Sequence, residues 1–372
     1  MNKNYLRRGC LALVGILFLI FLIQFNQIDK TELISNEGRS FEKARVIEVL
    51  QDNLVDGKYR IGNQEVLLEI LSGEHKGEKV EALSSAGYLF GADCEKGNKV
   101  IALVNESQGE LVTSVYSMDR EIRIYTMIAL FLFAIILIGG KKGFASVIGL
   151  GFTLICVIFI FLPMIYRGYS PILSAILVVM VTTLVTMYLI GGNSKKTIAA
   201  AIGTIMGVVV AGAFAWIFGK VTQITGYNVN DIENLVYLEE KTSIKIGELL
   251  FSGILIAALG AVMDVGMSIA STLQEIYEKR PELTFLELFK SGMNVGKDMM
   301  GTMSNTLILA FTGGSLNTLV FIYAYDYSYL QMINGYSIGI ELMQGISASM
   351  GVVLTVPLTS FLGAWLITKK NK

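Results

Sequence analysis

The sequence predicts an α-helical multipass membrane protein with about eight transmembrane helices and a small extracytoplasmic all-β domain after the first helix. Three observations support this fold class. The chain of 372 residues is 53% hydrophobic and only 16% charged, whereas soluble domains carry about 25% charged residues. Its apolar residues gather in runs of about 20, the length that crosses hydrocarbon. Residues 27–122 instead alternate apolar and polar positions, which is typical of half-buried β-strands.

The first predicted domain is an N-terminal transmembrane anchor, residues 1–26. The basic segment MNKNYLRR precedes an uncharged apolar run from Gly9 to Phe25. This run is long for the apolar region of a signal peptide, and no small-residue cleavage site follows it. We therefore favour an uncleaved helix, with a cleaved signal peptide as the alternative.

The second predicted domain, residues 27–122, is a β-barrel or sandwich similar in size to an OB fold. Its strand-like runs are ARVIEVL, YRIGNQEVLLEIL, EKVEAL, NKVIALV and ELVTSVYSM, and SGEHKGE and CEKGNK have the composition of turns. The basic residues are scattered without interleaved aromatics, and the net charge of the chain is −1. These features argue against nucleic-acid binding and favour a folded spacer or a module that binds an envelope protein partner.

The third predicted domain, residues 123–372, contains seven apolar spans in the lipid bilayer. They run roughly over 124–140, 144–163, 171–191, 197–219, 246–272, 299–323 and 341–367. Between the fifth and sixth spans, 275–297 has the pattern of a cytoplasmic amphipathic helix broken at Pro281.

The distribution of basic residues predicts the orientation of the helices. Lys and Arg collect around residues 7–8, 141–142, 195–196, 275–297 and 369–372. All five positions fall on one side if eight helices alternate. Because Lys and Arg concentrate on cytoplasmic loops, we predict cytoplasmic termini and an extracytoplasmic domain at residues 27–122.

Two spans each carry a carboxylate that a helix in hydrocarbon disfavours. The polar positions are Asp264, Ser268 and Ser271 in one span and Asp298, Thr302 and Asn305 in the other. Both sets are spaced i, i+4, i+7, so each falls on one helix face. Glycine-interrupted spans of this kind point to binding sites in secondary transporters. An oxygen-only site suits a proton or a hard cation.

A structural alternative applies to the same residues. Hydroxyls and amides also hold transmembrane helices together, and Asp298 beside Lys297 could be solvated at the cytoplasmic boundary. Methionines 263, 267, 299 and 303 could offer thioethers to a soft metal, but without a nearby Cys or His we favour packing.

No enzyme signature is present, so we predict no catalytic residues, no cofactor and no metal centre. The motifs HExxH and GxSxG do not occur. Cys10, Cys94 and Cys156 show no paired spacing. The single histidine, His75, lies in the turn-like run SGEHKGE, where a solvated loop residue is expected.

The runs GAVMDVGMSIASTLQEI and KDMMGTMSNTLILAFTGGSL resemble the YibE/F-like family of bacterial multipass membrane proteins. The resemblance extends over nearly the whole chain. It implies a bacterial plasma-membrane protein, of a Gram-positive form, and supplies no substrate or catalytic residue.

We predict a permease or channel for a small solute or ion, with Asp264 central and proton coupling as one option. The alternative is a non-transporting membrane scaffold or signalling protein whose β domain binds an envelope partner. The sequence leaves the substrate, its direction and the oligomeric state open.

Overall fold

The structure, a computed structural model, describes residues 3–33, 38–54, 62–85, 87, 90–107 and 110–369. The chain divides into two compact units. One covers residues 32–134, and the other combines the N-terminal segment up to Thr31 with residues 135–372.

The first unit contains a closed five-stranded barrel. Its strands are β1 (Arg39–Asp52), β2 (Asn63–Ile70), β3 (Lys79–Ser85), β4 (Lys99–Ser107) and β5 (Glu110–Met118). They close in the order β1-β2-β3-β5-β4, and every pair is antiparallel except β3 with β5. The strand-like runs predicted from alternation are therefore confirmed, and closure selects the barrel over the sandwich.

Polar side chains pin the connection between β3 and β4 to the barrel interior. The buried Gln64 side chain accepts a hydrogen bond from Cys94 N (2.7 Å) and donates to Cys94 O (3.2 Å). The buried Ser84 hydroxyl donates to Ala92 O at 2.6 Å. Burial raises the pKa of the Cys94 thiol, which keeps it protonated and unreactive.

In the second unit, helix α1 (Lys3–Phe25) ends against a helical segment much later in the chain. Asn26 Nδ2 donates to Phe159 O at 2.9 Å, and Arg167 donates to Phe25 O at 2.8 Å. The Arg167 guanidinium also lies 4.4 Å from the centre of the Phe25 ring. The end of α1 is therefore fixed beside residues 159–167.

Helix α2 (Glu121–Cys156) continues through a π-helical turn (Val157–Phe161) into α3 (Leu162–Tyr166). Gly140 breaks this path with φ 52° and ψ −129°. A methyl group built on Gly143 would lie 2.2 Å from Ile135 O, although eight residues of straight helix span about 12 Å. The helix axis therefore turns sharply at Gly140, between the predicted spans 124–140 and 144–163.

The remaining elements are helices. They are α4 (Pro171–Gly191), α5 (Lys195–Thr222), α6 (Ile232–Lys241), a 3₁₀ turn (Ile246–Glu248), α7 (Leu249–Lys279), α8 (Phe285–Gly314), α9 (Leu316–Ala324), α10 (Tyr329–Ile333) and α11 (Tyr336–Thr368). The predicted break at Pro281 falls between α7 and α8. The predicted helix on either side of this break is also present, since α7 continues to Lys279 and α8 begins at Phe285. It is not separate from the following span, because α8 runs on without a break to Gly314.

Within the described residues, five helical segments are long and apolar enough to cross a membrane, which indicates a membrane protein. A sixth is added if α8 and α9, bent by 63°, form one span. This count is lower than the predicted eight. The path over 121–166 counts once despite its break, and α1 is not counted, because only its part Gly15–Phe25 enters the count and that part is shorter than a full span. Eight crossings stay a prediction.

Glycines and hydroxyls bring α5 and α11 into close contact at the centre of the bundle. A methyl group built on Gly203 would lie 2.0 Å from Thr359 Oγ1, and one on Gly207 would lie 1.8 Å from Thr355 Oγ1. Small residues at such interfaces allow helix backbones to approach closely in a membrane.

Candidate functional site

Helix α7 has one exposed face, and Asp264 lies on it. The exposed positions recur every three or four residues: Gly253, Ala257, Gly260, Asp264 and Ser268. Ser271, the next polar position, is half-buried. We call these six residues the Asp264 column. A charged side chain at the centre of a membrane helix costs about 2.5–3.5 kcal/mol, so this face requires water, a ligand or a polar partner.

A cavity of about 390 Å³ lies at one end of the polar part of this column. Residues from α2, α4 and α7 line it, including Ala257, Gly260 and Met263. Asp264 follows Met263 in the chain and lies one helical turn beyond Gly260. The cavity and the carboxylate are therefore successive features of the same helix face.

Four hydroxyl side chains line this cavity: Ser146, Thr153, Thr182 and Thr186. Three donate to carbonyl oxygens four residues earlier, namely Lys142 O (3.0 Å), Gly149 O (3.0 Å) and Val178 O (2.7 Å). The fourth, Thr186 Oγ1, is buried without a hydrogen-bond partner among the described residues.

The chemistry of these hydroxyls favours positive ligands. A hydroxyl that donates to its own helix keeps lone pairs with which to accept. Ser146 and Thr153, which are half-buried, offer such acceptors in a cavity with otherwise mainly apolar walls, about one helical turn from Asp264. Oxygen acceptors and a carboxylate are the ligands that protons and hard cations prefer.

The second predicted polar set lies on the exposed side of α8. Asp298, Thr302 and Asn305 are all exposed. The Thr302 hydroxyl donates to its own helix, to Met299 O at 3.0 Å. Met299, Met300 and Met303 pack against the bundle core instead, as we expected of the methionines.

The structure does not bring the two polar sets together across the α7–α8 contact. Methyl groups built on Gly292 and Gly296 would lie 3.2 Å from Leu273 Cδ2 and Ile269 Cδ1 respectively. At about 100° per residue, Asp264 points roughly 140° away from Ile269 and 180° away from Leu273. The Asp264 column therefore faces away from α8.

The cavity hydroxyls were missed by the sequence analysis. Thr182 and Thr186 form an i, i+4 pair inside the span 171–191, which was available as a signal. Threonines are frequent in packed membrane helices, so the pair alone could not be separated from packing.

The polar residues elsewhere do not form a metal cluster. Among the described residues, no group of three or more His, Cys, Asp or Glu side chains could hold a metal ion. His75 Nδ1 lies 3.4 Å from Glu78 Oε1 in its turn. Any cation at the Asp264 column would depend on hydroxyl and carbonyl oxygens around a single carboxylate.

Comparison with curated proteins finds no match, and comparison with solved structures finds none either. A family model described as YibE/F-like protein matches residues 127–369. The match takes in the helices from α2 to α11 and both polar sets. It is narrower than the nearly full-length resemblance expected from the sequence, since the barrel and α1 lie outside it. It covers well over half of the chain, and the protein belongs to the YibE/F-like family.

Proposed function

We propose that this membrane protein is a permease or channel for a small solute or ion rather than an enzyme. One observation carries the proposal: the Asp264 column leads from a hydroxyl-lined cavity at Gly260 toward the polar end of α7. A carboxylate in an apolar span is costly in hydrocarbon, and a transport path is one structure that needs a charged or protonatable group there.

Asp264 is the group that takes up a proton or ligates a hard cation in this proposal. The cavity hydroxyls provide accepting oxygens on one side of it, and Ser268 and Ser271 provide them on the other. No other part of the protein covers this face at Gly253 and Gly260, because a methyl group built on either residue meets no atom within 4 Å.

The proposed location is a bacterial plasma membrane, with cytoplasmic termini and the barrel outside. Two contacts support helices that alternate in direction. Lys195 Nζ donates to Lys369 O at 2.7 Å, so the start of α5 and the end of α11 lie on the same side. Ser170 hydrogen-bonds Glu248, so α4 and α7 begin on the same side.

Flux in proteoliposomes tests the function directly. Wild type and Asp264→Asn are reconstituted and screened for proton, alkali-cation and amino-acid flux. We expect flux in wild type and its loss in Asp264→Asn. Asp298→Asn is the matched control, because it removes a carboxylate from an exposed helix face that lies away from the cavity; its flux should persist. Equal flux in wild type and Asp264→Asn would contradict the role of Asp264.

A second candidate function is favoured by the barrel surface. Three exposed rings cluster there: the ring centre of Tyr116 lies 5.0 Å from that of Phe41 and 6.2 Å from that of Phe90. Exposed aromatic clusters mark interaction sites. A scaffold with an envelope partner would require this cluster and tolerate Asp264→Asn. Crosslinking in cells with Phe41→Ala beside Asp264→Asn separates the two functions.

A further inference from the structure

A second cavity, of about 360 Å³, lies where α8 bends into α9. It is separate in the fold from the Asp264 column. Its walls come from α8, α9, α10 and the first turns of α11, and they are mainly apolar, with Phe311, Leu319, Met332 and Ile346 among them. Small-molecule sites are typically cavities of about 300–1,000 Å³ with apolar walls and few polar groups.

One carboxylate lines this apolar cavity. Glu341 of α11 is the charged member of the lining, which contains no Lys, Arg or His. Among the described residues it has no ion pair and no hydrogen-bond partner. The two hydroxyls of the lining cannot donate to it where they stand: Thr312 donates to Ile308 O (2.7 Å) and Ser315 to Phe311 O (2.9 Å).

The surroundings of the cavity indicate access from a membrane–water interface. The last turn of α9 and the chain that follows it expose Tyr323, Tyr325, Tyr327 and Tyr329. Tyrosines concentrate at the level of lipid headgroups. An amphiphilic molecule that collects at this interface would therefore reach the cavity without crossing the bilayer centre.

We propose that this cavity binds an organic cation with an apolar body, with Glu341 as its counter-ion. Glu341 is half-buried against apolar walls, so a cation that pairs with it there gains both a counter-charge and apolar contact. An inorganic cation would find one carboxylate and only the two hydroxyls of Thr312 and Ser315 in the lining, whereas an ammonium group with an apolar substituent matches both the charge and the mainly apolar walls. Phe311 adds an aromatic ring, which favours cations further. This inference does not depend on transport.

Binding of benzyltrimethylammonium to the full-length protein in nanodiscs tests the proposal. This probe keeps its charge at every pH, so protonation of the ligand cannot confuse the result. Equilibrium dialysis against empty nanodiscs gives its affinity for wild type and three variants. Each variant is first checked for an unchanged elution profile and thermal midpoint.

Two variants address the charge and the volume separately. Glu341→Gln should weaken binding about tenfold or more, because it removes the counter-ion. Gly345→Leu should weaken it similarly by filling the cavity. A methyl group at Gly345 would make only ordinary contacts, 3.7 Å to Phe311 and 3.8 Å to Ile308, so the first atom of the added side chain fits, and the check of folding covers the rest.

Asp326→Asn is the matched control. It removes the same charge from the exposed segment before α10 without changing the cavity lining, and Asn tolerates the positive φ of 50° at this position. Its affinity should equal that of wild type. The proposal is overturned if wild type does not bind the probe, if Glu341→Gln binds as wild type does, or if Asp326→Asn weakens binding as much as Glu341→Gln.

Discussion

Gly351 determines how closely α11 can approach α5. A methyl group built on Gly351 would lie 2.8 Å from Ala211 Cβ and 2.9 Å from Gly207 O. The second contact is with backbone, which cannot rotate away. We therefore expect Gly351→Ala to destabilise the protein by about 1–3 kcal/mol, the usual cost of overpacking, measured as a lower midpoint of thermal unfolding in detergent.

Gly301→Ala provides the control for that measurement. It makes the same substitution in α8, where a methyl group meets no atom within 4 Å. Its effect should stay within about 0.5 kcal/mol, as for most surface substitutions. Similar losses in both variants would mean that helix packing at Gly351 is not the cause.

At the scale of single residues, periodicity predicted which residues of α7 share a face with Asp264. It did not predict which other helices that face meets. The i, i+4, i+7 spacing with Ser268 and Ser271 follows from the geometry of one helix, and the structure places Asp264 and Ser268 on a common exposed face. The rotation of α7 relative to other helices depends on contacts such as Ile269 with Gly296. Those contacts join distant parts of the chain, so spacing alone could not reveal that the face turns away from α8.

Among the elements, the break in α2 depends on one glycine. Gly140 has φ 52° and ψ −129°, a conformation that residues with a Cβ rarely adopt. We expect Gly140→Ala to cost about 1–3 kcal/mol, measured by thermal unfolding.

Gly139→Ala is the matched control for this effect. Gly139 is the preceding residue, and a methyl group on it would also meet no atom within 4 Å. The two variants differ therefore in backbone conformation and not in packing. If Gly139→Ala and Gly140→Ala unfold at the same temperature, the break does not require glycine.

The start of α8 shows why the sequence analysis misplaced an element boundary. Glu287, Lys290 and Lys297 lower the hydropathy of this stretch, so 275–297 was predicted to be a cytoplasmic helix broken at Pro281 and separate from the span 299–323. A capping box begins the helix much earlier: Glu287 N donates to Thr284 Oγ1 (3.4 Å), and Thr284 N donates to Glu287 Oε2 (2.9 Å). The TxxE pattern at Thr284 was a readable N-terminus signal. Hydropathy predicted the apolar part of this helix, whereas the capping residues mark where the helix begins.

For the molecule as a whole, local pattern predicted the strands but not their closure. Alternation depends on neighbouring residues, and it identified all five strand-forming regions. The choice between barrel and sandwich depends on pairing between distant strands, such as Arg39–Arg45 of β1 with β4 and the short parallel pairing of Ala82 with Thr113. No spacing within one strand encodes these partners.

The arrangement of the helices across the membrane yields the last prediction. If Gly140 separates two crossings, Lys142 and Tyr169 lie on opposite sides, and the basic residues place Lys142 in the cytoplasm. Cysteines are introduced singly at these positions, and at Lys195 and Asp326, in a background in which the three native cysteines are serine. A membrane-impermeant maleimide on intact cells should label Tyr169→Cys and Asp326→Cys.

The two cytoplasmic positions provide the other half of this experiment. Lys142→Cys and Lys195→Cys should react only after the cells are permeabilised, which also shows that each thiol is accessible. Lys195 is the internal reference, because its contact with Lys369 O ties the start of α5 to the end of α11. Labelling of Lys142→Cys and Tyr169→Cys from the same side would mean that 144–163 does not cross. The cavity one helical turn from Asp264, which Ser146 and Thr153 of this segment line, would then lie at the membrane surface, and a path through the bilayer would lose one of its walls.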